Sequence, residues 1–278
     1  MKIIVEIEEL RALREQLPEP VGFVPTMGYL HEGHLSLVRQ ARLECASVVA
    51  SIFVNPTQFG PQEDLAAYPR DLPRDLRLLE EMGVDLVWVP TVDMMYSPGY
   101  QTWVSVEEVT KPLEGYRRPT HFRGVTTVVA KLFNSVQPQK AYFGQKDAQQ
   151  AVVIRRMVED LNFPLAVRVC PIVREGDGLA MSSRNIYLNP TERRAAPILY
   201  QALQAAQLAF ESGERDADLL RRIVSEKIQI EPLASIQYVS CADPETLQEL
   251  TGLIDHGLLS LAVFFGKSRL IDNIILGG

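Results

Sequence analysis

Stretches of near-continuous apolar character recur at residues 21–24, 47–54, 84–89, 141–143 and 165–173. Apolar runs without polar alternation suit strands buried on both faces, as in a parallel sheet covered by helices. Between them the apolar spacing lengthens to a helical period. Leu35, Val38, Ala41 and Leu43 predict a helix after the first run, and further helices are expected at 75–82, 125–136 and from the turn at 144–147 through Leu161. A charged surface helix over 8–16 precedes the first run, and 103–106 reads as a short strand in the looser stretch from 91 to 119. After residue 174 the alternation stops. Two helices, 192–212 and 216–230, are followed by strands at 236–242, 258–264 and 270–276. Helices and strands that cease to alternate as βα units mark a second, smaller α+β domain. The expectation is an α/β chain, with a parallel-sheet domain over 1–174 and an α+β domain over 175–278.

The polar residues gather where the apolar runs end. Pro25 to Ser36 reads Pro-Thr-Met-Gly-Tyr-Leu-His-Glu-Gly-His-Leu-Ser, a strand end, a glycine turn and a helix start. His31 and His34 lie three apart at that start, close to one helix face, where first-turn N–H groups also point, so an anion there meets both. The pair does not match a zinc-protease site, which needs His at i and i+4 and a further ligand. Gly28 and Gly33 let the backbone approach a bulky ligand, as in phosphate-binding turns. The pattern His-x-Gly-His at the first helix of an α/β domain resembles the signature of nucleotidyltransferases and class I aminoacyl-tRNA synthetases. The next run ends at Asn55-Pro56-Thr57-Gln58. Ligands of open α/β sheets bind beyond the carboxyl ends of strands, so Asn55 and Gln58 either line that crevice or serve turn chemistry. Lys146, after Gly144 and at a helix start, is placed to meet phosphate charge. His121 opens another helix, in a direct or a helix-entry role. The glycine-bearing, small-polar run from 174 to 185 reads as a loop.

Composition narrows the classes. At 278 residues and 46% hydrophobic the chain has ample material for a core, and a net charge of −7 argues against sequence-independent binding of nucleic acid. Cys45, Cys170 and Cys241 are odd in number, far apart and in apolar settings, which predicts buried free thiols rather than a disulfide framework. No apolar run approaches the length of a membrane span and no secretory core is present, so no membrane association and a cytoplasmic location are expected.

Several motifs together carry a more specific resemblance. Residues 25–34, Phe53-Val54-Asn55-Pro56-Thr57-Gln58-Phe59, Tyr68-Pro69-Arg70, His121-Phe122-Arg123-Gly124-Val125, Phe143-Gly144-Gln145-Lys146-Asp147-Ala148-Gln149-Gln150 and residues 174–185 occur in the order seen in the pantothenate synthetases, or pantoate–β-alanine ligases. Asp243-Pro244-Glu245-Thr246-Leu247 and residues 265–273 extend the likeness to the last domain. The resemblance implies a Rossmann-like ATP- and pantoate-binding catalytic domain and a smaller lid domain. It implies that ATP and pantoate form a pantoyl adenylate, which β-alanine attacks to give pantothenate and AMP. By the same resemblance His31, His34, Lys146, Ser182, Ser183 and Arg184 embrace the triphosphate, with Met27, Gly28, Gly144, Asp147, Val173 and Met181 around the nucleotide. Gln58 and Gln150 match pantoate ligands, with Asn55 beside them. Mg²⁺ on the phosphates is implied, with Asp75 as its protein ligand, and so is a homodimer. Gln145 stands where the family commonly has glutamate. Another small-acid-activating nucleotidyltransferase, or an ATP-binding module without turnover, stays open on the residues alone.

Overall fold

The computed structural model describes residues 1–61 and 63–277. Contacts divide the chain into two units, one of Met1–Gly144 with Val153–Pro171, the other of Gln145–Val152 with the chain from Ile172 onward.

The chain opens with β1 (Lys2–Ile4), α1 (Ile7–Arg14), β2 (Val21–Thr26), α2 (Glu32–Glu44), β3 (Ser47–Ile52), α3 (Leu72–Glu81) and β4 (Leu86–Trp88). Two short helices, α4 (Val92–Met95) and α5 (Glu114–Arg117), lead to α6 (His121–Val136), β5 (Lys140–Gly144), α7 (Ala148–Asp160) and β6 (Ala166–Cys170). The first unit's sheet has the order β1-β4-β3-β2-β5-β6 with every pairing parallel. β3 is buried along its whole length, as its unbroken apolar run requires.

From β2 the chain builds outward through β3 and β4, then returns to the other side of β2 with β5 and β6. The carboxyl ends of β2 and β5 are therefore the place where strand order reverses, where open α/β sheets bind ligands. β2 pairs with β3 along all its residues, Val21 to Thr26, but with β5 only at Gly22 and Phe23. Pro25 lacks a ladder donor, so it fits in a central strand at a position that β5 has already left.

Two apolar layers cover the sheet. Phe23, Val49 and Trp88 pack with α6 residues such as Val129 and Phe133 on one face. Val24, Val48 and Ala50 pack with Val38 and Ala41 of α2 and Leu79 of α3 on the other. Each fully buried Val, Leu or Phe side chain among these contributes about 1.5–3 kcal/mol. The stripe of α2 differs from expectation at one position: Leu37 is buried and Leu43 is 81% exposed. At 3.6 residues per turn, position 43 lies about 200° around the helix from Ala41, away from the sheet.

The second unit contains α8 (Pro190–Ala195), α9 (Ile198–Glu211), α10 (Ala217–Gln229) and an antiparallel sheet, β7 (Ala234–Ala242), β8 (Gly257–Phe265) and β9 (Ser268–Leu276), with β8 central. Leu199 and Leu203 of α9 and Leu220 and Val224 of α10 close over Leu259, Leu261 and Val263 of β8. The single helix expected over 192–212 is two, because Pro197 has no N–H to continue the ladder of α8 and instead precedes α9. The strand expected at 103–106 does not form. The Val104 N–H donates to Thr127 Oγ1 at 3.0 Å and its carbonyl accepts from Thr126 Oγ1 at 2.7 Å, so hydroxyls of α6 take the groups a sheet would use.

Candidate active site

The turn from β2 into α2 is held from beneath by α3. Thr26 Oγ1 donates to the Ser51 carbonyl at 2.8 Å and accepts from the Gly28 N–H at 3.2 Å, tying the strand end to the turn. Gly28 takes φ +81°, and a Cβ there would sit 3.1 Å from both Asp75 Oδ2 and Ile52. Asp75, 1% exposed, accepts the Tyr29 N–H on Oδ2 at 2.6 Å and the Leu30 N–H on Oδ1 at 2.8 Å. Arg74 donates to the Leu30 carbonyl at 2.8 Å and lies 3.6 Å from Asp75 Oδ1. Burial pushes the Asp75 carboxyl up, against the pull of the two N–H groups and Arg74. The family resemblance casts Asp75 as a metal ligand. In this structure its two oxygens accept the backbone N–H groups of residues 29 and 30, which makes it the anchor of the turn.

That anchoring presents the two histidines. His31 is the N-cap of α2 in extended conformation, and its Nδ1 accepts the Gly33 N–H at 3.2 Å. His34 Nδ1 accepts the His31 N–H at 3.3 Å, completing a reciprocal capping box with the ring centroids 4.1 Å apart. A nitrogen that accepts a hydrogen bond cannot carry the proton in a neutral imidazole, so both rings hold theirs on Nε2. The helix end thus offers imidazole N–H donors beside its own positive dipole end.

The loop after β3 is a second rigid piece. Asn55, 1% exposed, donates from Nδ2 to Gln58 Oε1 at 3.1 Å and to the Gly124 carbonyl at 3.2 Å. Its Oδ1 accepts from the Thr57 N–H at 3.3 Å, Thr57 Oγ1 at 2.9 Å and Tyr96 OH at 2.8 Å. Asn55 thus builds the turn and aims Gln58, whose Nε2 reaches Met27 Sδ at 3.2 Å and so joins the loops after β2 and β3. Burial pushes the Tyr96 hydroxyl up to about 12, so it stays a neutral donor to this turn.

The start of α6 grips the same turn. His121 Nδ1 is 2.9 Å from the Gln58 carbonyl, and Nε2 is 3.2 Å from Arg118 Nη1. Burial first, and Arg118 second, lower its pKa to about 4, so the ring is neutral, with Nδ1 the donor and Nε2 the acceptor. A Cβ on Gly124 would lie 2.4 Å from the Thr57 carbonyl oxygen, so the helix and turn meet backbone to backbone. His121 acts on the position of Gln58 from the helix entry.

Apart from Gly144, which ends the first unit's opening segment, the second unit carries the remaining candidates. Gly144 closes β5, and Gln145–Asp147 form a single tight turn before α7, which holds Gln150. Lys146 Nζ pairs with Asp147 Oδ1 at 2.9 Å. The 174–185 loop is a closed structure, with Arg174 bridged to Ala180 and the Met181 N–H donating to the Val173 carbonyl at 3.0 Å. Ser182 caps the turn that follows by accepting the Arg184 N–H at 3.3 Å, and Ser183 is buried. β9 lies against both the 145–147 and the 183–187 turns. Arg74, Tyr96, Arg118 and Asn273 support these loops, and sequence reasoning misses all four. The available signal is weak: Asn273 and its neighbour Asp272 are polar residues inside an apolar strand pattern.

The three cysteines are free and buried. Among the described residues no group of three or more His, Cys, Asp or Glu side chains could hold a metal ion, and no helix is long and apolar enough to cross a membrane.

The profile of the pantoate-beta-alanine ligase family matches residues 2–275. The chain belongs to the pantoate-beta-alanine ligase family. It is 61% identical to the pantothenate synthetase of Herpetosiphon aurantiacus over 277 residues, covering 99% of this chain and 100% of that protein. The pantothenate synthetase of Roseiflexus castenholzii is 60% identical over 276 residues, covering 99% of each. Crystallographic pantothenate synthetase from Thermus thermophilus superposes with a TM-score of 0.94 at 51% identity, covering 99% of both chains. The pantoate-beta-alanine ligase of Francisella tularensis, solved with beta-gamma ATP and β-alanine, gives a TM-score of 0.82 at 34% identity, covering 99% of this chain and 97% of that one. Membership carries the family's activity, the ligation of pantoate to β-alanine. The Rossmann-like sheet and the smaller α+β unit read from the sequence are the architecture of these structures.

Proposed function

We propose that this ligase joins its substrates through a pantoyl adenylate, with ATP as co-substrate and the capping histidines of α2 as donors to the phosphate under attack. The observation that carries the reading is the reciprocal capping of His31 and His34, which fixes two Nε2–H groups at a helix N-terminus on the strand-order reversal. ATP enters by likeness to the Francisella tularensis ligase. Pantoate is already a carboxylate at neutral pH, so the first step needs alignment and charge neutralisation rather than a base. Its oxygen bonds to the α-phosphorus as the bond to the bridging oxygen of pyrophosphate breaks. His31, His34 and the first-turn N–H groups of α2 meet the negative charge of that transition state. Lys146, Ser182, Ser183 and Arg184 hold the rest of the triphosphate, Met27, Gly28, Gly144, Asp147, Val173 and Met181 surround the nucleotide, and Gln58 and Gln150 hold pantoate. In the second step the neutral amine of β-alanine attacks the acyl carbon, AMP leaves as the C–O bond breaks, and the amine proton passes to water.

Mg²⁺ is read as part of the co-substrate. Both Asp75 oxygens are committed to the turn, and magnesium characteristically keeps its waters and takes phosphate oxygens. No step above uses a protein-held ion. The enzyme is read as a cytoplasmic homodimer, tested by light scattering of the purified protein.

The test is isotope exchange. Labelled pyrophosphate should enter ATP when pantoate is present and β-alanine is not, and AMP should accumulate only after β-alanine is added. Absence of exchange at saturating pantoate and Mg²⁺ would replace the adenylate with a concerted reaction. A companion measurement concerns the loop: ATP with pantoate should slow hydrogen exchange at residues 174–190 more than elsewhere, with much of that protection lost in Arg184→Ala.

A further inference from the structure

β9 breaks its own pattern at two successive residues. Asp272 and Asn273 are both polar, and only 2% and 3% exposed. Successive side chains on a strand point to opposite faces, so the pair serves two different places.

Asp272 receives the guanidinium fork of Arg174, Nη1 to Oδ2 at 2.6 Å and Nη2 to Oδ1 at 3.0 Å. Arg174 also donates to the Gly178 carbonyl at 3.1 Å and lies 3.7 Å from the ring centroid of Tyr200 on α9. The carboxylate is therefore immobile, and its Oδ1 accepts the Asn273 N–H at 2.8 Å. On the other face, Asn273 Nδ2 donates to the carbonyls of Gln145 and Lys146, both at 3.0 Å, and Oδ1 accepts Gln145 Nε2 at 3.0 Å. Both amide hydrogens are thus committed to the turn that bears Lys146, leaving little freedom in where that lysine starts.

We propose that Asn273 is a positioning residue for the adenylation step: it fixes the backbone from which Lys146 projects, and Asp272, pinned by Arg174, fixes Asn273. The inference rests on the reading that Lys146 meets the phosphates. Without the amide the turn loses both hydrogen bonds that β9 donates to its carbonyls. Displacement of a charge-stabilising group by about 1 Å costs on the order of 100-fold in rate.

The experiment compares the full-length protein with Asn273→Ala, Asn273→Asp, Lys146→Ala and the Lys146→Ala/Asn273→Ala double variant. Thermal unfolding is followed beside pantoate-dependent pyrophosphate exchange. Asn273→Asp keeps the shape and removes both donors, so exchange turnover should fall about 10- to 100-fold while the KM for pantoate stays within about twofold. In the Lys146→Ala background, Asn273→Ala should change exchange less than about twofold, because the group being positioned is gone. Wild-type exchange in either folded Asn273 variant overturns the inference, and so does the same fractional loss in both backgrounds, which marks a role in folding alone. If Asn273→Ala does not fold, Asn273→Asp alone and combined with Lys146→Ala supplies the same comparison. Wild-type exchange in Lys146→Ala removes the phosphate reading of Lys146 and this inference with it. A defective Lys146→Ala beside normal Asn273 variants removes the inference alone.

Discussion

Replacing Asp75 by Asn should destabilise the protein and slow catalysis without altering its need for magnesium. The carboxylate accepts the N–H groups of Tyr29 and Leu30 on separate oxygens. An amide keeps one acceptor and turns an NH₂ toward the other N–H. The change forfeits one charge-assisted bond, worth about 1.5–3 kcal/mol, and strands a buried donor at about 1–3 kcal/mol. Part of this is offset, because burial already opposes the charge on Asp75. A net loss of about 2–4 kcal/mol is expected, a large share of a total that is typically about 5–15 kcal/mol. Tyr29 sits at φ +50°, a conformation that the Asp75 bonds help to hold, so the turn carrying His31 should loosen first. Urea unfolding reads the stability from the midpoint at constant slope, and pyrophosphate exchange titrated with Mg²⁺ reads the function. An unchanged midpoint together with a raised magnesium requirement would refute the anchoring role and return Asp75 to the metal.

His34→Ala and Lys146→Ala should each cut exchange turnover on the order of 100-fold; Lys146→Ala should leave stability nearly unchanged, whereas His34→Ala, which removes half of the capping box, should cost about 0.5–2 kcal/mol, and near-normal turnover in folded protein would remove these roles. His121 titrates near 4 in the folded protein against 6.5 as a free side chain, so falling pH protonates the unfolded chain first. Its contribution is complete above pH 6.5 and is lost between 6.5 and about 4, amounting to about 3 kcal/mol. Urea unfolding across that window should show a steeper loss for the wild type than for His121→Gln, and parallel curves would contradict the assignment. Gly124→Ala drives a methyl against the Thr57 carbonyl and should cost about 1–3 kcal/mol, with the KM for pantoate rising more than that for ATP; an unchanged ratio of the two would detach α6 from Gln58.

The parallel sheet is legible because its strands are buried on both faces and their sequences say so directly; β3 needs no partner knowledge to be recognised. Local chemistry is legible where it is local in sequence, as with His31 and His34. What escapes depends on distant partners. Segment 103–106 has a strand's composition, and only the presence of Thr126 and Thr127 beside it explains why it stays irregular. Leu43 falls in the expected stripe because the apolar pattern on α2 is wider than the face it packs. The hydrogen bonds of Asp75 to the Tyr29 and Leu30 N–H groups, some 45 residues away, leave no trace in spacing. Asn273 lies 127 residues beyond the lysine backbone it bonds. Motif order marks which residues are candidates for the chemistry. Folding contacts reveal which of them are aimed by others.

The two imidazoles at the head of α2 answer to two masters. As caps they terminate a helix, a duty that Asn, Asp or Ser performs at least as well. As donors they reach outward from Nε2, which none of those shorter side chains can do. On the proposed reading, a sequence drifting toward a better cap would gain helix order and surrender its grip on a nucleotide, and Asp would add a charge that repels one. Drift toward a residue that neither caps nor donates would unwind the turn and disarm it in a single step. If the two histidines meet the phosphate as proposed, helix integrity and reactivity are inherited together at positions 31 and 34.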